Sequence, residues 1–379
     1  MRPSTCSPTA ATLLVALLPL ACDAQSRSAR QPTVPPPSIT EYQPRSTLVV
    51  PEHEVLRAKF PVVDFHGHPP GLTSPQAIRG VVEAMDALNI QVMVQARPSS
   101  GERLTRQIEA VRAAGYADRF VFFASLDLDD VGPGSGARIA AQLEEDVRAG
   151  AAGIGEIMKS FGLTTRRADG SRLALDDPEL DTVWETAGRL AVPVFIHTGD
   201  PPEFFEPHDY ENERWLEMAL FPDRVLNDRA RFPSFDELMA ERDRLIAKHP
   251  NTTWVLAHMG WHTQDLARLG EIFERHPNVL AEVGAVLYDL GRQPRFGREF
   301  FTRWSDRILF GKDSFAPDEY PYYWRVFETA DEYFDYYRDY HAFWKLYGMD
   351  LPDDVLRDVY YRNALRIIPG MPTEGFPGG

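Results

Sequence analysis

The stretch of sequence that decides the fold is PVVDFHGH at residues 61–68, a short apolar run that ends in two histidines one residue apart. A run of this kind predicts a buried β-strand. Because residues i and i+2 of a strand point to the same side, both imidazoles can be directed at one point. His66 and His68 are therefore candidate ligands of a single metal ion. Short motifs of this kind also occur by chance, so the meaning of this one depends on the rest of the chain.

Three later segments of the chain end in a similar way. Each is a short apolar run, typical of a strand, that leads to a metal-binding or acid–base side chain. These residues are His197, after residues 192–196, His258, after residues 253–257, and Asp313, after residues 307–312. A single histidine at a strand end is usually a core or surface residue. Four strand ends of this kind indicate a shared site.

Short apolar strands alternate with amphipathic helical segments through most of the chain. Strands are predicted to begin near residues 62, 90, 120, 153, 193, 253, 279 and 308. Helices are predicted at residues 75–88, 103–114, 137–149, 178–190, 235–249, 265–276, 298–304 and 352–367. Eight β-then-α units in about 310 residues predict an α/β fold of the (β/α)8 TIM-barrel type. A doubly wound open sheet is the alternative, but no Gly-x-Gly-x-x-Gly sequence follows the first strand.

A barrel would bring the strand-end residues to one face, since active residues of TIM barrels lie at the carboxyl ends of the strands. Lys159, at the end of the fourth predicted strand, joins the set. Long insertions follow strands 4, 5 and 8, at residues 161–177, 198–233 and 316–349. We expect these insertions to cover the mouth of a pocket.

The composition, with 44% hydrophobic and 25% charged residues, is that of an ordinary globular protein. The 40 basic and 56 acidic residues give a net charge of −16, which argues against nucleic acid or an anionic lipid surface as a partner. Cys6 and Cys22, the only cysteines, lie in the N-terminal segment. If that segment is removed, imidazole and carboxylate remain as metal ligands, a set that suits Zn, Mn or Fe.

Residues 1–24 have the pattern of a secretory signal peptide. Arg2 precedes an apolar run too short to span a membrane, and a small-x-Ala site ends at Ala24. Acylation of Cys22 is the alternative, although Pro19 stands where a bacterial lipobox prefers Leu. The chain is thus predicted to be exported, as a periplasmic or secreted protein or one anchored by a lipid on Cys22. The other predicted regions are a Pro-rich tether at 25–55, the barrel at 56–371 and a flexible tail at 372–379.

Taken together, these motifs resemble the amidohydrolase superfamily. The matching residues are Asp64-x-His66-x-His68, His197, His258-x-Gly260, Gly311-Lys312-Asp313 and the closing Asn363-Ala364-Leu365-Arg366. More narrowly, they are similar to the amidohydrolase-related branch that contains the aminocarboxymuconate-semialdehyde decarboxylase-like enzymes. The similarity spans residues 62–368 and is specific for the superfamily rather than for a substrate. Lys312 departs from the pattern, in which Thr or Ser usually precedes the aspartate.

The resemblance implies a metal site made by His66, His68, His197 and Asp313, with His258 close by. We expect one divalent metal, for which Zn is preferred and Mn or Fe are alternatives. A bound metal lowers the pKa of its water from 15.7 to about 7, which makes that water a nucleophile. Asp313 would orient this water and take its proton. His258 would stabilise the developing oxyanion or bind the substrate oxygen.

The fourth strand offers two candidates, Glu156 and Lys159, which lie three residues apart and cannot both face inward on a regular strand. Some relatives use a carbamylated Lys or a Glu here to bridge two metals. We expect Lys159 to contact the substrate or a metal ligand, with a simple salt bridge at the barrel mouth as an equal alternative. The candidates for substrate binding are Phe205 and Trp215, for an apolar group, and Arg214 and Arg292, for an anion.

Three functions are compatible with this set of residues. The first is a metal-dependent hydrolase, in which a metal-activated water cleaves an amide, ester or lactone bond of a small molecule. The second is a metal-dependent non-oxidative decarboxylase, a lyase acting on an unsaturated or aromatic carboxylic acid. The third, an exported binding lipoprotein, is disfavoured because a binding protein needs no open metal position. Export favours the hydrolase. The expected partner is a small-molecule substrate, and a homo-oligomer is left open.

Overall fold

The computed structural model describes residues 34–38, 40–340 and 345–377 of the chain. The predicted signal peptide, with Cys22, lies outside these residues. The chain separates into two units, Met1–Val49 and Val50–Gly379. In the first unit the described residues are mostly exposed, with one turn in which the amides of Glu41 and Tyr42 donate to the Ser38 carbonyl. None of the helices among the described residues is both long and apolar enough to cross a bilayer.

The second unit is built on a parallel sheet of nine strands within its described residues. The strands are β1 Val62–His68, β2 Ile90–Gln95, β3 Phe120–Ala124, β4 Gly153–Ile157, β5 Val194–Ile196, β6 Trp254–Leu256, β7 Val279–Glu282, β8 Ile308–Leu309 and β9 Asp313–Ser314. Each strand pairs with its sequence neighbour from β1 to β8, and β9 pairs with β1. The predicted starting points of all eight strands agree with the structure within one residue.

The last predicted strand is divided, and this division closes the barrel. β8 pairs with β7, whereas β9, three residues further on, pairs with β1 through Gly67–Asp313 and His68–Ser314. Between the two pieces the amide of Phe65 donates to the carbonyl of Phe310 at 2.9 Å. One continuous segment, residues 308–314, therefore bridges the first and seventh strands. The architecture is the predicted (β/α)8 TIM barrel.

Helices follow the strands and cover the outside of the barrel. Those before β5 are α1 Pro75–Leu88, α2 Gly101–Ala113, α3 Ser135–Ala149, the short turn α4 Ser160–Leu163 and α5 Asp181–Leu190. Those after β5 are α6 Trp215–Leu220, α7 Phe235–Lys248, α8 Leu266–Arg275, α9 Leu287–Leu290, α10 Pro294–Arg303, α11 Tyr320–Glu328, α12 Asp353–Arg357 and α13 Asn363–Ile367. A single π-turn, Asp358–Arg362, joins α12 to α13.

Local sequence explains where these helices begin and end. The Ser74 hydroxyl accepts from the Ala77 amide at the start of α1, and α1 ends at Asn89, which adopts the left-handed conformation that stops a helix. At the start of α7, Ser234 and Glu237 form a reciprocal capping box. Each cap satisfies backbone groups that the helix itself leaves unpaired.

The C-terminal helices form hydrogen bonds with the segment that leads into the last strand. The side-chain amide of Asn363 donates to the carbonyls of Ser305 at 2.6 Å and Ile308 at 2.8 Å. Beyond them, Phe376 is buried and stacks on Tyr361, with ring centroids 5.3 Å apart. The described part of the C-terminal tail is thus packed against the barrel.

The three long insertions follow β4, β5 and β9 as predicted, and two of them carry short helices, α6 and α11. Their large aromatic residues are mostly buried: Phe204, Phe205, Tyr323 and Trp324 are each at most 5% exposed. These residues form part of the hydrophobic core of the second unit. The insertions are therefore packed structure rather than open loops.

Candidate metal centre

The carboxylate of Glu156 is the centre of the site, and the two histidines of β1 face it. The Nε2 atoms of His66 and His68 lie 3.1 and 3.0 Å from Glu156 Oε2. Glu156 belongs to β4 and is 3% exposed. Parallel pairing across the barrel brings the carboxyl ends of β1 and β4 to the same mouth, which is why residues 90 positions apart in the chain meet here.

Two further histidines approach the same carboxylate from β5 and β6. His197 Nδ1 lies 2.6 Å from Glu156 Oε1, the oxygen that does not contact His68. The rings of His197 and His258 are 4.3 Å apart between centroids. The ligand-capable atoms of His66, His68 and Glu156 lie within 4.8 Å of one another, and so do those of Glu156, His197 and His258. Glu156 thus belongs to two overlapping clusters.

Asp313 closes the site from the last strand. Its Oδ1 lies 3.8 Å from His66 Nε2 and 3.9 Å from His68 Nε2. Burial raises the pKa of Asp313, but the nearby His66 and His258 bring it below its usual value. The residue has φ 77°, a left-handed conformation that non-glycine residues rarely adopt and that is found preferentially at functional sites. Asp313 is therefore a carboxylate at neutral pH, with part of its side chain open to solvent.

Glu282, at the end of β7, forms hydrogen bonds with two of the histidine residues, His66 and His258. Its carboxylate is completely buried and lies 2.9 Å from His66 Nδ1. It also accepts from the backbone amides of His258 at 2.7 Å and Gly284 at 2.6 Å. A Cβ on Gly311 would lie 2.3 Å from this carboxylate, so only glycine fits there. Glu282 fixes the orientation of His66 and leaves Nε2 of that ring directed at Glu156.

His258 is held in one tautomer by the backbone. Its Nδ1 lies 2.7 Å from the carbonyl oxygen of Gly284, which can only accept, so Nδ1 carries the proton. The ring stacks on Trp261 at 4.5 Å, and Trp261 in turn donates to the Gly199 carbonyl. Burial, followed by the proximity of His197, lowers the pKa of His258 to about 4. Near neutral pH this imidazole is uncharged, and its Nε2 presents a lone pair.

The turn that carries His258 is unusual. His258, Met259, Gly260 and Trp261 have φ between 54° and 62°, so four successive residues adopt left-handed backbone. Such a run is costly for residues with a side chain. It brings the imidazole of His258 and the indole of Trp261 into stacked contact.

The donor set fits a divalent cation. Burial lowers the pKa of His66, but the carboxylates of Glu156 and Glu282 raise it well above its usual value. Burial raises the pKa of Glu156, but His66 and His197 hold it well below its usual value. His66 Nε2 is buried and lies 3.1 Å from Glu156 Oε2, without the alignment of a hydrogen bond. Nitrogen lone pairs and carboxylates that converge in this way need positive charge between them, which a metal ion supplies.

Asp64 and Lys312 lie beside the metal centre, but their charged groups have other partners. The buried carboxylate of Asp64 accepts from the Tyr320 hydroxyl at 2.6 Å and from the amides of His66 and Lys312. The Lys312 ammonium is turned toward Glu319 and the Ser314 carbonyl. The departure from the family pattern at Lys312 therefore serves a buried ion pair, not the Asp313 carboxylate.

Of the two candidates in the fourth strand, the structure brings Glu156 to the centre. β4 ends at Ile157, so the alternation of a regular strand does not extend to Lys159. The Lys159 ammonium instead forms an ion pair with Asp200, with Nζ 2.7 Å from Oδ2, and its side chain is 43% exposed. This is the salt-bridge alternative considered from the sequence. A catalytic role for Lys159 stays a prediction.

The four residues suggested for substrate binding lie in the insertions or beside them. Phe205 is 5% exposed, and Trp215 is half-buried against His208 and Tyr210. Arg214 is buried and pairs with Glu203 and Glu217. Arg292 pairs with Glu213 and Asp289. Both guanidinium groups thus have internal carboxylate partners, and a role in substrate binding stays a prediction for all four residues.

The sequence did not lead us to predict a role for Glu282, and on the fourth strand we preferred Lys159 to Glu156. A signal for Glu282 was present, because residues 279–281 form an apolar run that leads to an acidic side chain and then to Gly284. This is the same pattern that identified His197, His258 and Asp313.

The chain matches the model of one known protein family. The family model described as amidohydrolase matches residues 63–370. No curated protein matches the chain significantly. The family assignment therefore rests on the family model, which covers most of the chain.

Solved structures resemble the chain only weakly. An uncharacterised TIM-barrel protein from Bordetella bronchiseptica is 17% identical, with 81% of this chain and 97% of that chain covered and a TM-score of 0.47. An amidohydrolase from Burkholderia multivorans is 13% identical, with 82% of this chain and 100% of that chain covered and a TM-score of 0.43. A dihydropyrimidinase from Brevibacillus agri is 14% identical, with 79% of this chain and 68% of that chain covered and a TM-score of 0.39. These likenesses carry no argument about function. The match over residues 63–370 shows that the chain belongs to the amidohydrolase family.

Proposed function

We propose that the protein is a metal-dependent hydrolase that cleaves an amide, ester or lactone bond of a small molecule. The observation that carries the proposal is the position of Glu156. One of its oxygens faces His66 and His68, and the other faces His197. A buried carboxylate shared between two groups of imidazoles is suited to holding divalent cations rather than to supporting the fold.

His66, His68, Glu156 and Asp313 would hold the first cation. Glu156 also belongs to the cluster with His197 and His258, and this supports a second position that shares the same carboxylate. The sequence led us to expect one metal; the geometry favours two positions. Nitrogen and oxygen donors without thiolates suit Zn, with Mn or Fe as alternatives. When bound, the cation supplies Lewis acidity, which activates water and polarises a carbonyl group.

Asp313 is suited to the role of general base. It is ionised at neutral pH, because its pKa is lowered, and its side chain is 36% exposed and so accessible to water and substrate. It would accept a proton from the attacking water and deliver it to the leaving group, as general acid–base catalysis requires.

His258 is suited to accept rather than to donate. With its proton fixed on Nδ1 by the Gly284 carbonyl, the neutral ring offers only a lone pair at Nε2. This favours a role as a nitrogen ligand over the oxyanion stabilisation expected from the sequence, which would need a proton at that atom.

The test is a panel of simple esters, lactones and amides offered to the full chain. The protein is first treated with a chelator and then reloaded with Zn, Mn or Fe, and both acid release and carbon dioxide are measured. We expect the substrates to be hydrolysed to a new carboxylic acid only by the protein that has been reloaded with metal. Release of carbon dioxide from an unsaturated or aromatic acid, without hydrolysis of any member of the panel, would contradict the proposal and favour the lyase.

We further propose that the protein is exported, on the basis of its N-terminal sequence alone. Expression of the full chain in a bacterial host, followed by fractionation and mass spectrometry of the mature N-terminus, tests this. Cleavage before residue 25 is expected, and Cys22→Ala distinguishes signal removal from acylation, since only acylation requires the thiol. An uncleaved protein in the cytoplasm would contradict export.

A further inference from the structure

Two arginine side chains lie beside the metal centre, at the carboxyl ends of the strands. Arg97 comes two residues after β2, and its guanidinium donates to the carbonyl of His68 at 3.3 Å. Arg338, from the insertion after β9, donates to the hydroxyl of Ser314 at 3.5 Å. Ser314 directly follows Asp313 and pairs with His68 across the sheet. One guanidinium group thus contacts His68, a proposed metal ligand, and the other contacts the strand partner of that residue.

The backbone that carries Arg97 is tied to the metal centre. The Ala96 amide donates to the Gly67 carbonyl, and the Glu156 amide donates to the Ala96 carbonyl, each at 3.0 Å. The side chain of Gln95, which is 2% exposed, accepts from the Arg97 amide at 2.7 Å. A buried side chain therefore holds the backbone of Arg97 in position, while Arg97 itself is exposed to solvent.

Both arginines differ from the two that the sequence suggested for an anion, because each of those pairs with two carboxylates of the protein. Within the described part of the chain, no carboxylate lies within ion-pair distance of Arg97. The Glu319 carboxylate lies 3.6 Å from the Arg338 guanidinium and is already paired with the Lys312 ammonium. Since a guanidinium group has five N–H donors, both arginines can still bind an anion.

We propose that Arg97 and Arg338 bind a carboxylate of the substrate, so that the molecule that is hydrolysed is an anion with this carboxylate close to the bond that is cleaved. The inference rests on the proposed function, because it takes the cluster around Glu156 as the place of cleavage. A guanidinium group matches a carboxylate with two parallel N–H donors. A chain with a net charge of −16 repels anions in general, and two arginines beside the centre supply the local positive charge that such a substrate needs.

The first experiment compares substrates that differ in the charge of one group. Monomethyl succinate carries a carboxylate near its ester bond, and methyl levulinate carries a methyl ketone of similar shape in that place. Release of acetate from N-acetylglycine and from N-acetylglycinamide compares the same change beside an amide bond. For each pair, the kcat/KM of the anion is divided by that of the neutral compound, so that general damage to the enzyme cancels. We expect the wild type to prefer the anion at least tenfold (~10-fold) in one pair. A ratio of one or less in every hydrolysed pair overturns the proposal.

Substitutions then locate the source of this preference. Arg97→Gln and Arg338→Gln each remove one guanidinium group, and each should lower the wild-type ratio about tenfold. Arg148→Gln is the matched control. It makes the same change on an exposed arginine in the last turn of α3, which leads to the start of β4 and so lies at the opposite end of the barrel. This control should keep the wild-type ratio. An unchanged ratio in either of the first two variants overturns the proposal, and so does an equal loss in Arg148→Gln.

A binding measurement separates this inference from the proposed function. Succinate is titrated into the chelator-treated protein, in which no metal competes for the carboxylate, and is followed by saturation-transfer NMR. Binding that is lost in Arg97→Gln and in Arg338→Gln but kept in Arg148→Gln supports the anion site even if no substrate is hydrolysed. Hydrolysis of methyl levulinate without binding of succinate, and with ratios near one, overturns the anion site and leaves the hydrolase standing.

Discussion

Replacing Glu282 by Gln tests the architecture behind the metal centre. The substitution keeps the shape of the side chain but removes its charge and one acceptor. In the protein, the carboxylate receives three donors: His66 Nδ1, the amide of His258 and the amide of Gly284. An amide side chain has one oxygen and one NH₂ group. In either orientation, the NH₂ group must face at least one of these donors.

The magnitude follows from this mismatch. A buried donor that loses its acceptor costs about 1–3 kcal/mol of folding free energy. The same change loosens the His66 ring, whose Nε2 faces the cation site. Loss of a partner behind a metal-binding histidine typically weakens metal affinity about 10–100-fold. We therefore expect Glu282→Gln to lower both the free energy of unfolding and the affinity for Zn.

The pH dependence has a defined sign. Burial raises the pKa of Glu282, but His66 brings it below the usual value of 4.5. A carboxylate with a lowered pKa contributes stability above its unfolded-state pKa and loses that contribution as the pH falls through the folded value. The difference in stability between the metal-free wild type and metal-free Glu282→Gln should therefore shrink as the pH falls below 4.5.

The assay pairs chemical denaturation of the metal-free proteins with Zn titration against a competing chelator. Glu241→Gln is the matched control, because Glu241 is also a buried carboxylate, paired with Arg172 and the Leu175 amide away from the site. It should lose stability but keep the wild-type Zn affinity. If Glu282→Gln binds Zn as tightly as the wild type, the role assigned to Glu282 is wrong.

Other predictions concern the ligands and the proton balance. His66→Ala or His68→Ala should strip the metal, as measured by elemental analysis, and full retention would refute the ligand assignment. Asp313→Asn should lower turnover about 10²–10⁴-fold, since it removes the proposed base; near-wild-type rates would exclude that role. The raised pKa of His66 stabilises the metal-free protein at low pH, and this contribution is lost as the pH rises through the raised value. Metal binding near neutral pH should therefore release a proton, so the calorimetric heat should depend on the ionisation enthalpy of the buffer; a heat independent of buffer would contradict this.

The fold could be predicted from sequence because the relevant signals are local. Apolar runs located the starts of β1 to β8, although not the separate piece β9, and α1 was predicted at its observed bounds, Pro75–Leu88, from Ser74 and the proline after it. The short helices of the insertions, α6 and α11, were not predicted. Their formation depends on packing against the barrel, which a local pattern does not record.

The candidate site was predicted in part. His66, His68, His197, His258 and Asp313 are brought together, because the barrel fixes where strand ends lie. The spacing of a regular strand indicated that Glu156 and Lys159 cannot both face inward, but β4 ends before Lys159, so this spacing does not apply to it. The tautomer of His258 depends on a carbonyl of residue 284, and such a partner is visible only in three dimensions. The burial of Phe205 and Arg214 likewise depends on tertiary packing.

The divided last strand has a consequence for how the active protein comes into being. His66 and His68 lie near the start of the barrel and Asp313 near its end, so some 250 residues must be ordered before the opposing groups meet. Contacts this distant along the chain form late in folding. We expect a truncated chain that ends before residue 308 to be unable to retain the cation. Maturation would then proceed in a fixed order, in which the polypeptide is completed first and loaded with metal afterwards.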